Sequence, residues 1–584
     1  MPPSSLKLSR LSHGSRSSFE KHLEPRDDPT RIAPPSHRHA APSAPWPWVD
    51  IQDEVDEVQL ASSLPPVPEL CDHKSCEGCW VGYPQSRFPN WTPRQVKKSK
   101  IYKAIHDYRR DLTCKCYHVD VDVNGRFTDP GAFEAPEGKE ADTWDRIINT
   151  IRPNNLRVRA LFLENMSGPI LQMLGAKYNI EPFFFSSSLG WIPSRFQEEI
   201  RPKIGDHITV TLPFIKSMSN YDAMRLSATS PYNASTESIG SVKKPGTLLG
   251  SQKIDTQAPL SLYSNNRLLV LDLLSVHLIR SNEGSTIISY HPSLNIPTTT
   301  AHYLHERIQF AGQSVYWQSI FQQSPDPTFV LLTFLWHAMY AWDEALEHLY
   351  EHICSLETRV ITTNEMPLTQ ELHVIRAHHL HYVSLLHDFS KSVLFVRDTE
   401  SPAMEVHPQE VQDFSRALMK RECANLLSEI DRLDLELKMQ DRRLKNVMNL
   451  VFSSVNITDS RYMREMTEAA VRDSAAMKQI AYLTMIFLPA SFVAAVFGMN
   501  VGEIAPGTLG TIAHYVEIAV PLTIITIWVI VAFQSRYIFP DDVSFWQRLG
   551  WPVLLIKRRF GKQSEDDEST TSSRTAVLHH IHAD

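Results

Sequence analysis

Five of the seven cysteines in this 584-residue chain fall between Cys71 and Cys116. The segment CDHKSCEGC supplies Cys71, His73, Cys76 and Cys79, and CKCYH adds Cys114, Cys116 and His118. Thiolate and imidazole at such spacing are the donors of a tetrahedral zinc site. The spacing fits no standard finger, and free loop cysteines give the same crowding. Two further groups are rich in donors: Glu344, Glu347, His348, Glu351 and His352, then His378, His379 and His381. With 25 histidines in the chain, both are read as solvated helix faces. No Gly-rich phosphate loop precedes a helix and no nucleophile elbow occurs, so the chain is not expected to be an enzyme.

The run Ile480 to Asn500, IAYLTMIFLPASFVAAVFGMN, carries no charge and closes on Gly498-Met499-Asn500. Residues 480–497 are long enough to cross a bilayer, and a second apolar run covers about 515–533. Pro489 and Pro521 lie inside these runs, which helical spans tolerate where neighbours satisfy the freed carbonyls. The intervening segment, VGEIAPGTLGTIAH, has Glu503 as its formal charge. Arg472 and Lys478 precede the first run, while Arg536, Lys557, Arg558, Arg559 and Lys562 follow the second. The positive-inside rule then puts both termini on the cytosolic or matrix side of a two-pass protein.

Elements must position these residues. Residues 1–98 read as a disordered Pro/Ser-rich tail, and 99–143 as a Cys-containing connector. The first nineteen residues lack acids, as a mitochondrial presequence does, but Pro2, Pro3 and Gly14 oppose an amphipathic helix. No apolar core of a secretory signal is seen. Residues 144–297 read as an α/β domain. LRVRALFLEN alternates as a strand, and SGPILQMLGAKYNI reads as a helix with Ser167 as N-cap. PFFFSSSL and GDHITVTLPFI read as strands. LLVLDLLSVHLIR and STIISYH form a hairpin about Asn282-Glu283-Gly284. Residues 218–258 look like a loop insertion.

Residues 298–405 turn helical. HYLHERIQFAGQSVYWQSIFQQ reads as one helix, followed by two long ones, with Phe329 to Met339 as a buried core segment too short to span a bilayer. Over 406–479 the stripe Leu426, Ile430, Leu433, Leu437, Leu444, Val447, Val451, Val455 predicts a long stalk helix of coiled-coil character. If continuous it would exceed about 100 Å, although SSVNITDS is a place for a bend. The expected fold class is an α+β cytosolic domain, a stalk helix and two C-terminal transmembrane helices (480–500 and 515–537), with a 501–514 loop and a 538–584 cytosolic tail. The net charge of −8 and the absence of a basic stripe argue against a nucleic-acid partner.

At Gly498-Met499-Asn500 the chain resembles the CorA family of magnesium transporters. The resemblance rests on the tripeptide's place after LTMIFLPASFVAAVF and before a second span. DSAAMKQIAYLTMIFLPASF is similar to the fungal CorA-like branch, and the strong similarity covers about 470–537. It implies a homopentamer in a lipid bilayer that conducts divalent cations, most of all Mg2+, with no cofactor required. It implies that Gly498, Met499 and Asn500 form the selective mouth, Asn500 offering a ring of amide oxygens to a hydrated ion. It also places Ser491, Leu488 and Met477 in the pore, and Thr484 joins them by helical spacing. The loop departs from the family's acidic Met-Pro-Glu-Leu, keeping Glu503 to attract cations. The family's cytosolic sensing acids cannot be placed; Asp459, Glu465, Glu468 and Asp473 read as a solvated face. The competing expectation is a membrane-anchored scaffold of the same fold without transport. The plasma membrane is favoured over the mitochondrial inner membrane or the vacuole.

Overall fold

A computed structural model describes residues 68–73, 76, 78–150, 152–220, 254–292, 298–362, 366–498 and 512–534, besides 61, 550 and 553. The chain divides into two units, Met1–Ser454 and Val455–Asp584, which are described separately.

The first unit is built on a sheet of nine strands among the described residues. Two short helices, α1 (Pro93–Lys98) and α2 (Ile101–His106), lead into β1 (Cys114–Asp122), β2 (Phe127–Thr128) and β3 (Ala132–Ala135). Then come α3 (Glu140–Asn149), β4 (Leu156–Glu164), α4 (Gly168–Lys177) and α5 (Phe183–Gly190). β5 (Ser194–Arg201), β6 (Gly205–Ser219), β7 (Leu260–Leu262), β8 (Arg267–Ser281) and β9 (Ser285–Tyr290) complete the sheet. Its order is β2-β1-β4-β9-β8-β6-β5, with β3 on β1 and β7 on β8. Only the β4–β9 pairing is parallel; the other described ladders are antiparallel.

Strand alternation assigns the two faces. Leu161 and Leu163 of β4 and Leu273 of β8 share a core with Ile170, Leu171 and Leu174 of α4 and Phe183 to Phe185 of α5. Phe162, between those leucines, stacks on Phe334 at 5.6 Å and meets His305 edge-on. Those partners belong to α8 (Thr328–Thr362) and α6 (Ala301–Gly312), so helices cover both faces. α7 (Val315–Gln323) lies between them in sequence, and α9 (Met366–Asp398) follows.

A buried ion pair ties the sheet to these helices. Arg280 of β8 stands opposite Asp206 of β6 in register, and both side chains are fully buried. Arg280 Nε donates to Asp206 Oδ1 at 2.6 Å, and Nη2 donates to Asp206 Oδ2. Its remaining donors reach Thr328 Oγ1 (3.0 Å) at the start of α8 and the Thr399 (3.3 Å) and Glu400 (2.8 Å) carbonyls just after α9. One guanidinium thus joins two strands and two helix ends, with its hydrogen-bonding capacity largely used.

Several expectations change. PFFFSSSL is not a strand: Phe183–Gly190 is the helix α5. It is buried on nearly every side, which erases the periodicity that separates helix from strand. Ser187 and Ser188 bond back to the Phe184 carbonyl at 3.0 and 2.6 Å, hiding their hydroxyls inside the helix. HYLHERIQFAGQSVYWQSIFQQ is two helices, not one. Gly312 ends α6 where a Cβ would run into the Phe127 ring, and Ser314 accepts from the Trp317 amide to cap α7. Residues expected to lie in the tail and connector also enter the fold: Tyr83, Trp91 and Val96 are buried in the core, and β1 pairs with β4. Most of the expected loop insertion and nearly all of the expected tail before residue 68 lie outside the described residues.

Other expectations hold. β4, α4 and the β8–β9 hairpin stand where alternation and turn residues place them, and Phe329 to Met339 is core. The stalk pattern becomes α10 (Gln409–Gly498), a helix of 90 residues that begins in the first unit and ends in the second. In the first unit Leu426, Ile430, Leu433, Leu437, Leu444, Val447 and Val451 are all buried. Gln440 sits in their row, fully buried, and donates to the Leu346 carbonyl of α8 at 3.0 Å. α10 is helical through SSVNITDS and through Pro489, and in the second unit α11 (Ile512–Gln534) follows.

Candidate functional site

The apolar end of α10 carries the first group of expected residues. Pro489 has no N–H to give the Met485 carbonyl, yet the helix persists. Met477, Thr484, Leu488 and Ser491 are all exposed in the single chain. At 3.6 residues per turn they fall within an arc of about 60° on one helix face. Thr484 Oγ1 donates to the Ile480 carbonyl at 2.8 Å and Ser491 Oγ to the Leu488 carbonyl at 2.9 Å. Each hydroxyl hydrogen is therefore used within the helix, and each oxygen keeps lone pairs that can accept. Gly498 is the last residue of α10. Met499, Asn500 and Glu503 lie outside the described residues.

The flank before this segment is polar. Arg464 pairs with Glu468 one helical turn on at 2.9 Å, and Asp459, Glu465 and Asp473 are exposed, as a solvated face requires. Among the described residues one helix, α10, is long and apolar enough to cross a membrane. Val516–Val529 of α11 is a shorter apolar stretch.

The cysteine and histidine group separates into two sets. Donor atoms of Cys71, His73, Cys76 and Cys79 all lie within 4.8 Å of one another. Cys79 Sγ is 3.5 Å from His73 Nδ1, and the Cys79 amide donates to Cys76 Sγ at 3.2 Å. Trp144 of α3 fixes this loop: its indole donates to the Cys76 carbonyl at 3.2 Å, and its ring meets the His73 imidazole edge-on at 5.6 Å. Cys76 and Cys79 pack partly against the core. Cys114, Cys116 and His118 do not join them. They are alternate residues of β1, which puts their side chains on one face of the strand. The two thiols are buried in the core, and burial pushes the Cys114 thiol up to about 11. His118 Nδ1 is engaged with the Gly131 carbonyl at 3.0 Å.

The helical histidines are not solvated as expected. His352 is fully buried, with Ser264 Oγ at 2.7 Å on one nitrogen and Glu371 Oε1 at 3.1 Å from the other. His378 is held by the Ala258 carbonyl and His379 by the Leu437 carbonyl, at 3.1 and 2.9 Å. They latch α8 and α9 to the β7 region and to α10. Glu344, Glu347 and His348 share no donor cluster among the described residues.

One group was not expected. Glu198 of β5, His207 of β6 and His277 of β8 bring their donor atoms within 4.8 Å. His277 Nδ1 meets Thr209 Oγ1 at 2.8 Å, and Nε2 meets His207 Nδ1 at 3.3 Å. Burial, then the Glu181 carboxylate, pushes Glu198 up to about 10, while burial pulls both imidazoles down. Burial disfavours the charged form of each of these groups, which sit in a hydrogen-bonded row. The signal was hidden because the three residues meet only through strand pairing.

A profile described as CorA-like Mg2+ transporter protein matches residues 316–534, from α7 to α11, leaving the sheet outside the match. Solved structures of similar arrangement include the CorA magnesium transporter from Methanocaldococcus jannaschii. It is 12% identical, with 73% of this chain and 98% of that chain covered, at a TM-score of 0.36. The full-length CmaX protein is 13% identical over 71% and 96% of the two chains, at a TM-score of 0.32. The ZntB cytoplasmic domain from Vibrio parahaemolyticus is 11% identical over 57% and 98%, at 0.28. No curated protein matches the chain. Residues 316–534 thus resemble the CorA-like Mg2+ transporter protein family.

Proposed function

We propose that this protein conducts Mg2+ and related divalent cations across a membrane, through a pore formed by five copies of the apolar end of α10. The observation that carries the reading is the uncharged run 480–498 of α10, inside the family match and followed at once by Met499 and Asn500. α11 supplies the second span, and both termini face the cytosol, with the plasma membrane favoured. A hydrated Mg2+ presents water hydrogens outward and gives up its water reluctantly. The site therefore needs acceptors rather than charged ligands. Asn500 supplies an amide oxygen at the mouth, and Ser491 and Thr484 supply hydroxyl oxygens whose hydrogens are already spent on the helix. Leu488 and Met477 form apolar constrictions that close by dewetting. Glu503, in five copies, raises the local cation concentration. No nucleotide is needed. A divalent ion gains roughly 4.6 kcal/mol per 100 mV, twice the value for one charge.

The test is Asn500→Ala in liposomes loaded with a magnesium-sensitive dye, with assembly followed by cross-linking. An individual dipole–water contact contributes about 1 kcal/mol. Losing five on one ion cuts flux by at least about tenfold while assembly persists. Unchanged flux from an assembled Asn500→Ala variant would falsify the filter. Asn500→Asp keeps the shape and adds charge, so it binds cations with altered selectivity or slower release. The second reading is a membrane-anchored scaffold without transport, favoured by the loop VGEIAPG in place of the family's acidic one. An assembled wild type that passes no ion selects it.

A further inference from the structure

We propose that Cys71, His73, Cys76 and Cys79 hold one structural zinc ion that fixes the segment leading into the sheet. The geometry is that of a tetrahedral site. Zinc bonds of about 2.3 Å to sulfur and about 2.05 Å to nitrogen put a sulfur and a nitrogen about 3.6 Å apart at the tetrahedral angle. Cys79 Sγ and His73 Nδ1 are 3.5 Å apart. Two sulfurs on the same ion stand about 3.8 Å apart, and all four donors here lie within 4.8 Å of one another. Three thiols and one imidazole are the donor set that zinc prefers. With four protein ligands no position is left for water, which marks a structural rather than a catalytic site.

The surroundings are built for it. Residues 68–73 and the residues described at 76 and 78 form no helix or strand, so no ladder holds the loop in place. His73 adopts a left-handed backbone conformation (φ +56°), which an L side chain takes where something demands its position. The Cys79 amide aims at Cys76 Sγ and supports a thiolate there. The Trp144 indole holds the Cys76 carbonyl and the Trp144 ring flanks His73, so the candidate ligands are oriented by a helix of the domain. Because the unfolded chain does not hold the four ligands in tetrahedral geometry, binding the ion is part of folding this segment.

The experiment uses the full chain purified in detergent under reducing conditions. Elemental analysis is expected to give about one zinc per chain. Cys76→Ser combined with Cys79→Ser should reduce this to near zero, whereas Cys354→Ala, a thiol on α8, should keep it. Should the double variant not fold, the wild type decides. Chelation followed by Co2+ should give the thiolate-to-cobalt charge-transfer and intense ligand-field absorption of a tetrahedral site, and the ligand thiols should resist alkylation until the chelator is added. Folded, reduced protein without zinc that also fails to take up zinc or cobalt overturns the proposal. So does a disulfide between any two of the three cysteines, or zinc retained by the folded double variant.

Discussion

The two stretches of α10 obey opposite rules. In the first unit its apolar side chains form a narrow row, and Leu433 and Leu437 are 0% exposed. In the second unit the apolar side chains occupy every side, and Phe487 and Leu488 are 62% and 65% exposed in the single chain. A stripe finds its partners within one polypeptide. An all-round apolar surface does not, and it requires an apolar surround of lipid or other copies of the chain. One helix thus carries two different surface patterns along its length, with Pro489 removing one backbone hydrogen bond in the second.

The comparison can be broken most severely at Asp206. Asp206→Asn leaves the Arg280 charge fully buried without its counter-charge, and is expected to cost about 3–5 kcal/mol of stability in denaturant unfolding. Pairing it with Arg280→Met should recover most of that loss. A single substitution as mild as a surface change would show that the interior of the first unit is not held as described.

Next in size is a matched pair on α10 itself. Leu437→Ala opens a cavity in the packed row and is expected to cost about 2–5 kcal/mol in the same measurement. Leu488→Ala should leave that unfolding midpoint unchanged and alter ion flux instead. Equal shifts of that midpoint from both would erase the distinction between the two stretches.

The smallest effect is on pH. Burial pulls His291 down to about 4, against an ordinary value near 6.5, with the Thr299 carbonyl partly opposing it. The folded chain keeps this imidazole neutral while the unfolded chain protonates it. Its contribution is therefore intact above pH 6.5 and is lost as the pH falls towards 4, a loss on the order of 3 kcal/mol at the limit. Unfolding of wild type and His291→Asn followed between those values should show the wild type losing more stability. Parallel curves would remove His291 from the account.

What was legible in the sequence follows physical range. Alternation in LRVRALFLEN and the heptad row of α10 are local patterns that burial on one side writes directly into the chain, and both elements stand where they were expected. PFFFSSSL was misread because a segment buried on all sides has no pattern to read. The histidines of α8 and α9 looked solvated because their partners, Ser264, Glu371, Ala258 and Leu437, are named only by the fold. The cysteines divide on the same principle. Cys71 to Cys79 lie close enough in sequence to meet, whereas Cys114 and Cys116 are aimed into the core by the pleat of β1. The Gly-Met-Asn tripeptide drew attention through its place at the end of an uncharged run, of which α10 includes the residues up to Gly498.

Gln440 has a mechanical consequence. It is a polar tooth in an apolar rack, engaged with the Leu346 carbonyl of α8. Sliding α10 by one heptad along α8 would seat an apolar side chain against that carbonyl and bury the amide among leucines, two losses with nothing gained. Tilting or twisting about the tooth keeps the hydrogen bond. Axial sliding of α10 at this level therefore costs a buried hydrogen bond that rotation about the tooth keeps.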